Sequence, residues 1–197
     1  EGLGGGLFHK DMPLQRLDEG GVLLAYEING APLPPERGFP LRLIVPGYYG
    51  TNDVKWLCRL DLAARRAGGV FTTTLYNDPD EATGKRRPVW AAPPESLLVS
   101  PRPGASLSRE PVEIWGWAWA ATGVARVEVS TDGGATWTAA ELERRADWSW
   151  QRFALPWTPP APGTFDIAAR ATDSAGPVQR MTLARNAVHS VSVTVVD

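Results

Sequence analysis

Among the residues whose types could do chemistry, Arg42 and Lys55 lie on two neighbouring strand-like runs. Arg42 lies in the apolar run Leu41-Arg42-Leu43-Ile44-Val45-Pro46-Gly47, and Lys55 in the following Asp53-Val54-Lys55-Trp56-Leu57. Arg offers a planar fork of donors and Lys a point charge, the two side-chain types that supply charge-assisted hydrogen bonds to oxyanions. Arg37 adds a third cation just upstream. Against this stands the common case, in which an isolated Arg or Lys on a strand is merely solvated. Other chemistries are poorly supplied. The single cysteine, Cys58, allows no intramolecular disulfide and no multi-thiolate zinc or iron–sulfur cage. His9 and His189 are far apart, and no Gly-x-Ser-x-Gly elbow signals a nucleophile. The glycine-rich opening, Gly2 to Gly6, has no strand before it and no Lys-Ser/Thr after it, so it reads as a flexible terminus or an exposed active-site loop rather than a phosphate cradle.

The elements that must position these groups are short. The chain has 197 residues, 43% hydrophobic, with 20 Gly and 18 Pro, which implies many turns and many brief strands. The net charge of −2 gives no basic field for nucleic acid or an anionic membrane. No segment reaches the ~18 apolar residues of a membrane-spanning helix. Residues 22–60 form one block: an apolar run to Ile28, the tight-turn pair Asn29-Gly30, a stretch where Pro32, Pro34 and Pro35 forbid a helix, then strand-like runs at 41–46 and 54–62. In the second run, alternation puts Lys55, Leu57 and Arg59 on one face. Residues 63–95 read as a long connector that packs on a neighbour or stays partly mobile.

Beyond residue 96 the pattern changes. Strand candidates recur at Leu97–Val99, Val112–Trp119, Ala125–Ser130, Trp148–Leu155, Phe165–Ala171 and Val188–Val196, with Asp132-Gly133-Gly134 as a hairpin turn and 159–163 as a chain reversal. This predicts an antiparallel β-sandwich of immunoglobulin-like type without a cross-sheet disulfide. Most of the nine Trp fall here. Trp115, Trp117 and Trp119 share one strand face, and the expectation is that they fill the core; any left exposed would need a cover such as a symmetric homodimer surface.

Two blocks resemble the sulfite oxidase family of molybdopterin-dependent oxidoreductases. The first is Leu24-Ala25-Tyr26-Glu27-Ile28-Asn29-Gly30, then Gly38-Phe39-Pro40-Leu41-Arg42-Leu43, Val45-Pro46-Gly47 and Val54-Lys55-Trp56-Leu57. The second is Gly116-Trp117-Ala118-Trp119, then Arg126-Val127-Glu128-Val129-Ser130, Asp132-Gly133-Gly134, Trp137, and Trp148-x-Trp150. The resemblance implies a mainly β chain: residues 1–95 would be the C-terminal part of an incomplete α+β molybdopterin-binding domain plus connector, and 96–197 the immunoglobulin-like dimerisation domain. It implies that Arg42, Lys55 and the backbone at Asp53 and Val54 contact the pterin phosphate, with Arg37 standing where many members have His. The parent enzyme would then oxidise sulfite or a related small sulfur substrate, pass electrons to a cytochrome or other acceptor, and form a homodimer.

The resemblance also implies departures. The family's molybdenum-ligating Cys lies earlier in the fold, and Cys58 is not at its position, so the 197 residues alone are expected to be inactive and to lack the bound cofactor. Phe8 falls where the family has an active-site Tyr; either His9 or Lys10 takes the polar role or the enzyme does without that Tyr. Arg180 and Arg185 flank the place of a substrate-binding Arg ahead of Asn186-Ala187 without sitting squarely on it. The start, without Met, reads as a processed product, a fragment or a cloned piece. Exported bacterial members would favour the periplasm, with the cytoplasm as the other compartment. The competing reading, from a different class, is a non-enzymatic immunoglobulin-like binding or assembly module.

Overall fold

The computed structural model describes residues 6–80, 83–182 and 185–197, which fall into two units, Glu1–Ala92 and Pro93–Asp197. Most of the Gly2–Gly6 opening therefore lies outside the described residues.

Proline and glycine punctuation leaves the N-terminal unit only short elements: α1 (Gln15–Asp18), β1 (Leu23–Ala25), β2 (Glu27–Ile28), β3 (Ala31–Pro32), β4 (Arg42–Ile44), α2 (Val70–Thr73), β5 (Asn77–Pro79) and β6 (Arg86–Pro88). They pair as three two-stranded antiparallel ribbons, β1–β4, β2–β3 and β5–β6. The β2–β3 turn is the predicted Asn29-Gly30 pair, both with positive φ (53° and 77°) as a tight hairpin turn requires. Arg42 stands opposite Ala25 in the β1–β4 ribbon.

The predicted strand at 54–62 does not form. Val54 and Leu57 are tethered beside β4, with Leu43 N donating to Val54 O (2.9 Å) and Leu57 N to Leu41 O (2.8 Å). Between them Trp56 takes a left-handed conformation (φ 52°), so the chain bulges and the two-residue alternation is lost. The connector is not a free tether: Arg66 ion-pairs with Asp11 (2.9 Å), Thr72 is buried, and Asn52 donates to Val89 O (3.3 Å). The buried apolar residues of this unit are few, namely Leu33, Leu43, Val45 and Val89, while Leu23, Leu24, Tyr26, Ile28 and Phe39 are exposed.

The C-terminal unit is a two-sheet sandwich built from β7 (Glu95–Ser100), β8 (Ser106–Leu107), β9 (Val112–Trp119), β10 (Val124–Ser130), β11 (Thr138–Ala139), β12 (Glu141–Leu142), β13 (Gln151–Trp157), β14 (Gly163–Asp173) and β15 (Ser190–Val195). The sheets run β12-β13-β9-β7 and β11-β10-β14-β15-β8. Every pairing is antiparallel except the brief parallel contact of β8 with β15. The core between them takes Ile114 and Phe153 from one sheet and Val127, Val129, Ile167 and Val193 from the other. Two buried side chains fasten it: Gln151 brackets Val124, accepting its N–H (2.9 Å) and donating to its carbonyl (3.2 Å), and Ser96 Oγ donates to Ala169 O (2.7 Å).

The alternation of β9 is as predicted, but its sense is reversed. Ile114, Gly116 and Ala118 face the core, whereas Trp115, Trp117 and Trp119 are only partly buried on the outer face. The reason is space. A Cβ on Gly116 would stand 2.0 Å from Leu97 O and 2.7 Å from the tip of the Phe153 ring, so this face must stay small while Phe153 fills the gap.

The Asp132-Gly133-Gly134 turn joins β10 to β11. The Asp132 carboxylate accepts from Thr136 N (2.9 Å), Thr136 Oγ1 (2.5 Å) and Ser130 Oγ (2.7 Å). These bonds, those of Thr136 foremost, hold its pKa down to about 2.

Candidate anion-binding site

The cations of the N-terminal unit converge on one turn. Pro35–Arg37 forms a single 3₁₀ turn, started by Pro35 and closed by Gly38 in a left-handed conformation (φ 112°). Its three carbonyls each accept from a different side chain: Pro35 O from Trp56 Nε1 (2.9 Å), Glu36 O from Lys55 Nζ (3.0 Å) and Arg37 O from Arg42 Nη1 (3.2 Å). A Cβ on Gly38 would lie 3.1 Å from the Cβ atoms of both Arg42 and Lys55, so the two basic side chains leave the backbone side by side. The left-handed bulge at Trp56 is what brings Lys55 there, and Lys55 Nζ also sits 5.0 Å from the Trp56 ring centre.

Beside this turn lies a cavity of about 270 Å³ lined by Phe8, Gly50, Thr51, Asp53, Lys55 and Trp56. Two buried donors here, Arg42 Nε and Thr51 Oγ1, have no hydrogen-bond partner among the described residues. A buried guanidinium N–H without an acceptor is costly, and an oxyanion would satisfy it. The residues present therefore fit the phosphate end of a cofactor.

The backbone contacts expected at Asp53 and Val54 are used otherwise. Asp53 N donates to Gly50 O (3.1 Å) and Val54 N to Asn52 O (3.1 Å), closing the 3₁₀ turn Gly50–Asn52. The Asp53 carboxylate accepts from Val45 N (2.8 Å), which holds the loop against the end of β4. Burial raises its pKa; the Val45 hydrogen bond and the Arg42 charge oppose that rise. Arg37 points its guanidinium into solvent, with no hydrogen bond or ion pair to the described residues.

The other candidates have different surroundings. Both His9 ring nitrogens meet backbone carbonyls, Nδ1 that of Leu7 (3.1 Å) and Nε2 that of Gly68, so this ring ties the N-terminal segment to the connector. Lys10 lies over the Tyr76 ring (4.6 Å), and burial pulls its pKa down, partly offset by Asp11. Phe8 lines the cavity and packs on Phe71 (4.8 Å), so an apolar ring rather than a hydroxyl stands at this position. Arg180 and Arg185 belong to the C-terminal unit, where both are exposed. Asn186, at a left-handed φ of 71°, donates its amide to the Glu95 carboxylate. Cys58 is exposed, and among the described residues no three His, Cys, Asp or Glu side chains group as metal ligands.

Residue spacing alone missed Thr51 and Trp56 as parts of this site. Trp56 carries no sequence signal for its φ, and Thr51 is one hydroxyl in a polar loop.

Residues 1–71 match the family profile described as an oxidoreductase molybdopterin binding domain, and residues 86–194 match that of a Mo-co oxidoreductase dimerisation domain. The chain is 36% identical to mitochondrial sulfite oxidase of Mus musculus over 98% of its own length and 40% of that protein's. It is 33% identical to sulfite oxidase of Arabidopsis thaliana, over 82% of this chain and 46% of that one. Among solved structures, the sulfane dehydrogenase SoxCD of Paracoccus pantotrophus aligns with a TM-score of 0.79 at 29% identity, covering 93% of this chain and 51% of that one. The chain thus spans less than half the length of the curated relatives it matches.

Proposed function

Because the chain belongs to the sulfite oxidase family of molybdopterin oxidoreductases, we propose that it is the C-terminal portion of a sulfite oxidase-type molybdenum enzyme. The parent enzyme oxidises sulfite or a related small sulfur substrate: the substrate gains one oxygen atom, ultimately from water, and releases two electrons and two protons. The electrons pass to a cytochrome or another acceptor. When bound, the molybdenum cofactor supplies the oxygen-atom transfer and the two-electron redox couple.

In this reading residues 1–95 end the molybdopterin domain and 96–197 form the homodimer surface. Arg42 and Lys55 grip the pterin phosphate, Thr51 adds a hydroxyl donor, and Arg37 supplies long-range positive charge. Asp53 and Val54 shape the loop that presents Lys55. His9 holds the connector in place beside Phe8. Arg180 and Arg185 are the candidates for attracting an anionic substrate.

The observation that carries this reading is the convergence of Arg42 and Lys55 beside Gly38, with Arg42 Nε buried and without a partner among the described residues. In the full-length protein, Arg42→Ala lowers bound pterin at least about tenfold, the scale of a lost charge-assisted hydrogen bond, while Arg37→Ala changes it little. Pterin is read by fluorescence after oxidative release and molybdenum by elemental analysis. The 197 residues alone carry less than stoichiometric molybdenum and oxidise no sulfite. Full metal content with turnover from this chain alone overturns the assignment of the metal ligand to another part of the enzyme.

A further inference from the structure

The chain reverses after β14. Asp173 N donates to Pro177 O (2.8 Å) and Gln179 N to Ala171 O (2.8 Å), so Val178 and Gln179 run back along the strand they left. β15 begins only at Ser190, and Val188 N donates to Arg180 O (2.8 Å), which closes residues 180–188 into a loop. From 174 to 190 the sequence holds two Arg, Arg180 and Arg185, and no Asp or Glu. Both Arg are exposed. A loop charged in one sense suits an anion. On an untethered loop, however, a long cationic side chain loses much of its grip to the entropy of ordering it.

This loop is tethered, and its two ends are held by neighbouring residues of β7. That strand lies at the edge of its sheet, and alternation turns Ser96 inward, where it is buried, and Glu95 outward. On the inner side, Ser96 Oγ stands 2.7 Å from both Gln179 Oε1 and Ala169 O, a three-centre hydrogen bond, and Gln179 Oε1 also accepts from Ala171 N (3.1 Å). On the outer side, the Glu95 carboxylate accepts from Asn186 Nδ2. The left-handed backbone at Asn186 (φ 71°) is one that Asn tolerates, and it brings the amide back to the strand. The loop is thus gripped on both sides of one strand edge. Between the two grips, Met181 has a seat of its own: its Cε would stand 3.2 Å from a Cβ on Gly134, a space that only the bare glycine leaves.

We propose that Glu95 is a positioning residue for substrate capture: through Asn186 it holds the loop so that Arg180 and Arg185 meet an anionic sulfur substrate such as sulfite. The inference rests on the reading above of these two Arg as the cations that attract the substrate, and it adds the group that fixes them. Glu95 touches neither substrate nor cofactor in this role. It acts as an acceptor one residue beyond Arg185, where the loop has no acid of its own. Held cations need less ordering when the anion arrives, so a lost tether weakens capture even though both charges remain.

In the 197-residue chain, Glu95→Ala speeds exchange of the Val188 amide at least about tenfold, the scale of a lost hydrogen bond to a charged group. Glu95→Gln, which keeps an acceptor for Asn186, changes it little. In the full-length enzyme, Glu95→Ala raises the KM for sulfite at least about fivefold with kcat little changed, because the cations attract substrate and transition state alike. The direction separates positioning from charge: removing a negative group close to Arg185 would by itself lower the KM for an anion. Glu95→Gln removes the same charge and holds the KM at or below the wild-type value. Glu110→Ala, at an exposed acid elsewhere in the sandwich, leaves it unchanged. If Glu95→Ala leaves either Val188 exchange or the KM at its wild-type value, or if Glu95→Gln behaves like Glu95→Ala, the positioning role is wrong while the two cations keep theirs. If Arg180→Ala and Arg185→Ala each leave the KM unchanged, the reading of these cations as substrate contacts falls, and the positioning role with it.

Discussion

The two units solve the same problem, short strands in a Pro- and Gly-rich chain, with different completeness. The C-terminal unit closes two sheets over one core in which Ile114, Val127, Phe153 and Ile167 are fully buried. The N-terminal unit has three separate ribbons, and its large side chains at Leu23, Leu24, Tyr26 and Ile28 face outward. A two-stranded ribbon is at best marginally stable by itself. The difference teaches that the sandwich closes a core of its own, while the order of the N-terminal unit goes into placing Arg42 and Lys55.

The largest test of this contrast is to separate the units. Residues 93–197 expressed alone unfold in one cooperative thermal transition, whereas residues 1–92 alone show little amide protection in hydrogen exchange. Equal protection in both pieces would erase the distinction. A smaller effect comes from one added methyl in each unit. Gly116→Ala forces its Cβ onto Leu97 O and the Phe153 ring and lowers sandwich stability by about 3 kcal/mol, read by denaturant unfolding. Gly38→Ala strains a left-handed backbone at a cost of about 1–3 kcal/mol and pushes Arg42 and Lys55 apart, so it weakens anion binding more than it shifts the sandwich transition.

The smallest effect is in the pH dependence, where the two units respond with opposite sign. Asp132 in the sandwich has a depressed pKa, so its contribution is intact above the ordinary carboxylate range and is lost only as pH falls toward about 2. Asp53 in the N-terminal unit has a raised pKa, so its charged form opposes folding at neutral pH and protonation relieves this as pH falls. Between pH 7 and 5, protection of the Val45 amide, taken relative to its intrinsic exchange rate at each pH, therefore rises or holds steady, and that of the Gly134 amide is unchanged. Asp132→Asn removes the low-pH transition of that turn, and Asp53→Asn removes the response at Val45.

Much of the sandwich was legible because period-two alternation survives in long strands. Val112–Trp119 has the predicted bounds, and the Asp132-Gly133-Gly134 turn lies between β10 and β11 as read. Alternation divides a strand into two faces but does not say which is inward. That is why spacing alone puts the Trp stripe in the core, whereas Gly116 beneath the Phe153 ring decides the matter. Alternation also failed at 54–62, where one residue in a left-handed conformation cancels it and nothing in the residue type of Trp56 announces this. The pairing of Arg42 with Lys55 came from likeness to a family, since neither residue by itself separates a ligand contact from a solvated charge. The engagement of the Asp53 and Val54 amides depends on the Gly50–Asn52 turn, which only the folded loop reveals.

The Pro35–Arg37 turn has a consequence for timing. Lys55 and Arg42 already hold the carbonyls of Glu36 and Arg37, and each keeps further N–H donors, Arg42 Nε among them, for an anion. An anion is then added to a clamp that is already closed: one ligand draws on two side chains that both fasten the same turn. The amides that follow it, Gly38 and Phe39, become a built-in reporter whose exchange slows when the site fills.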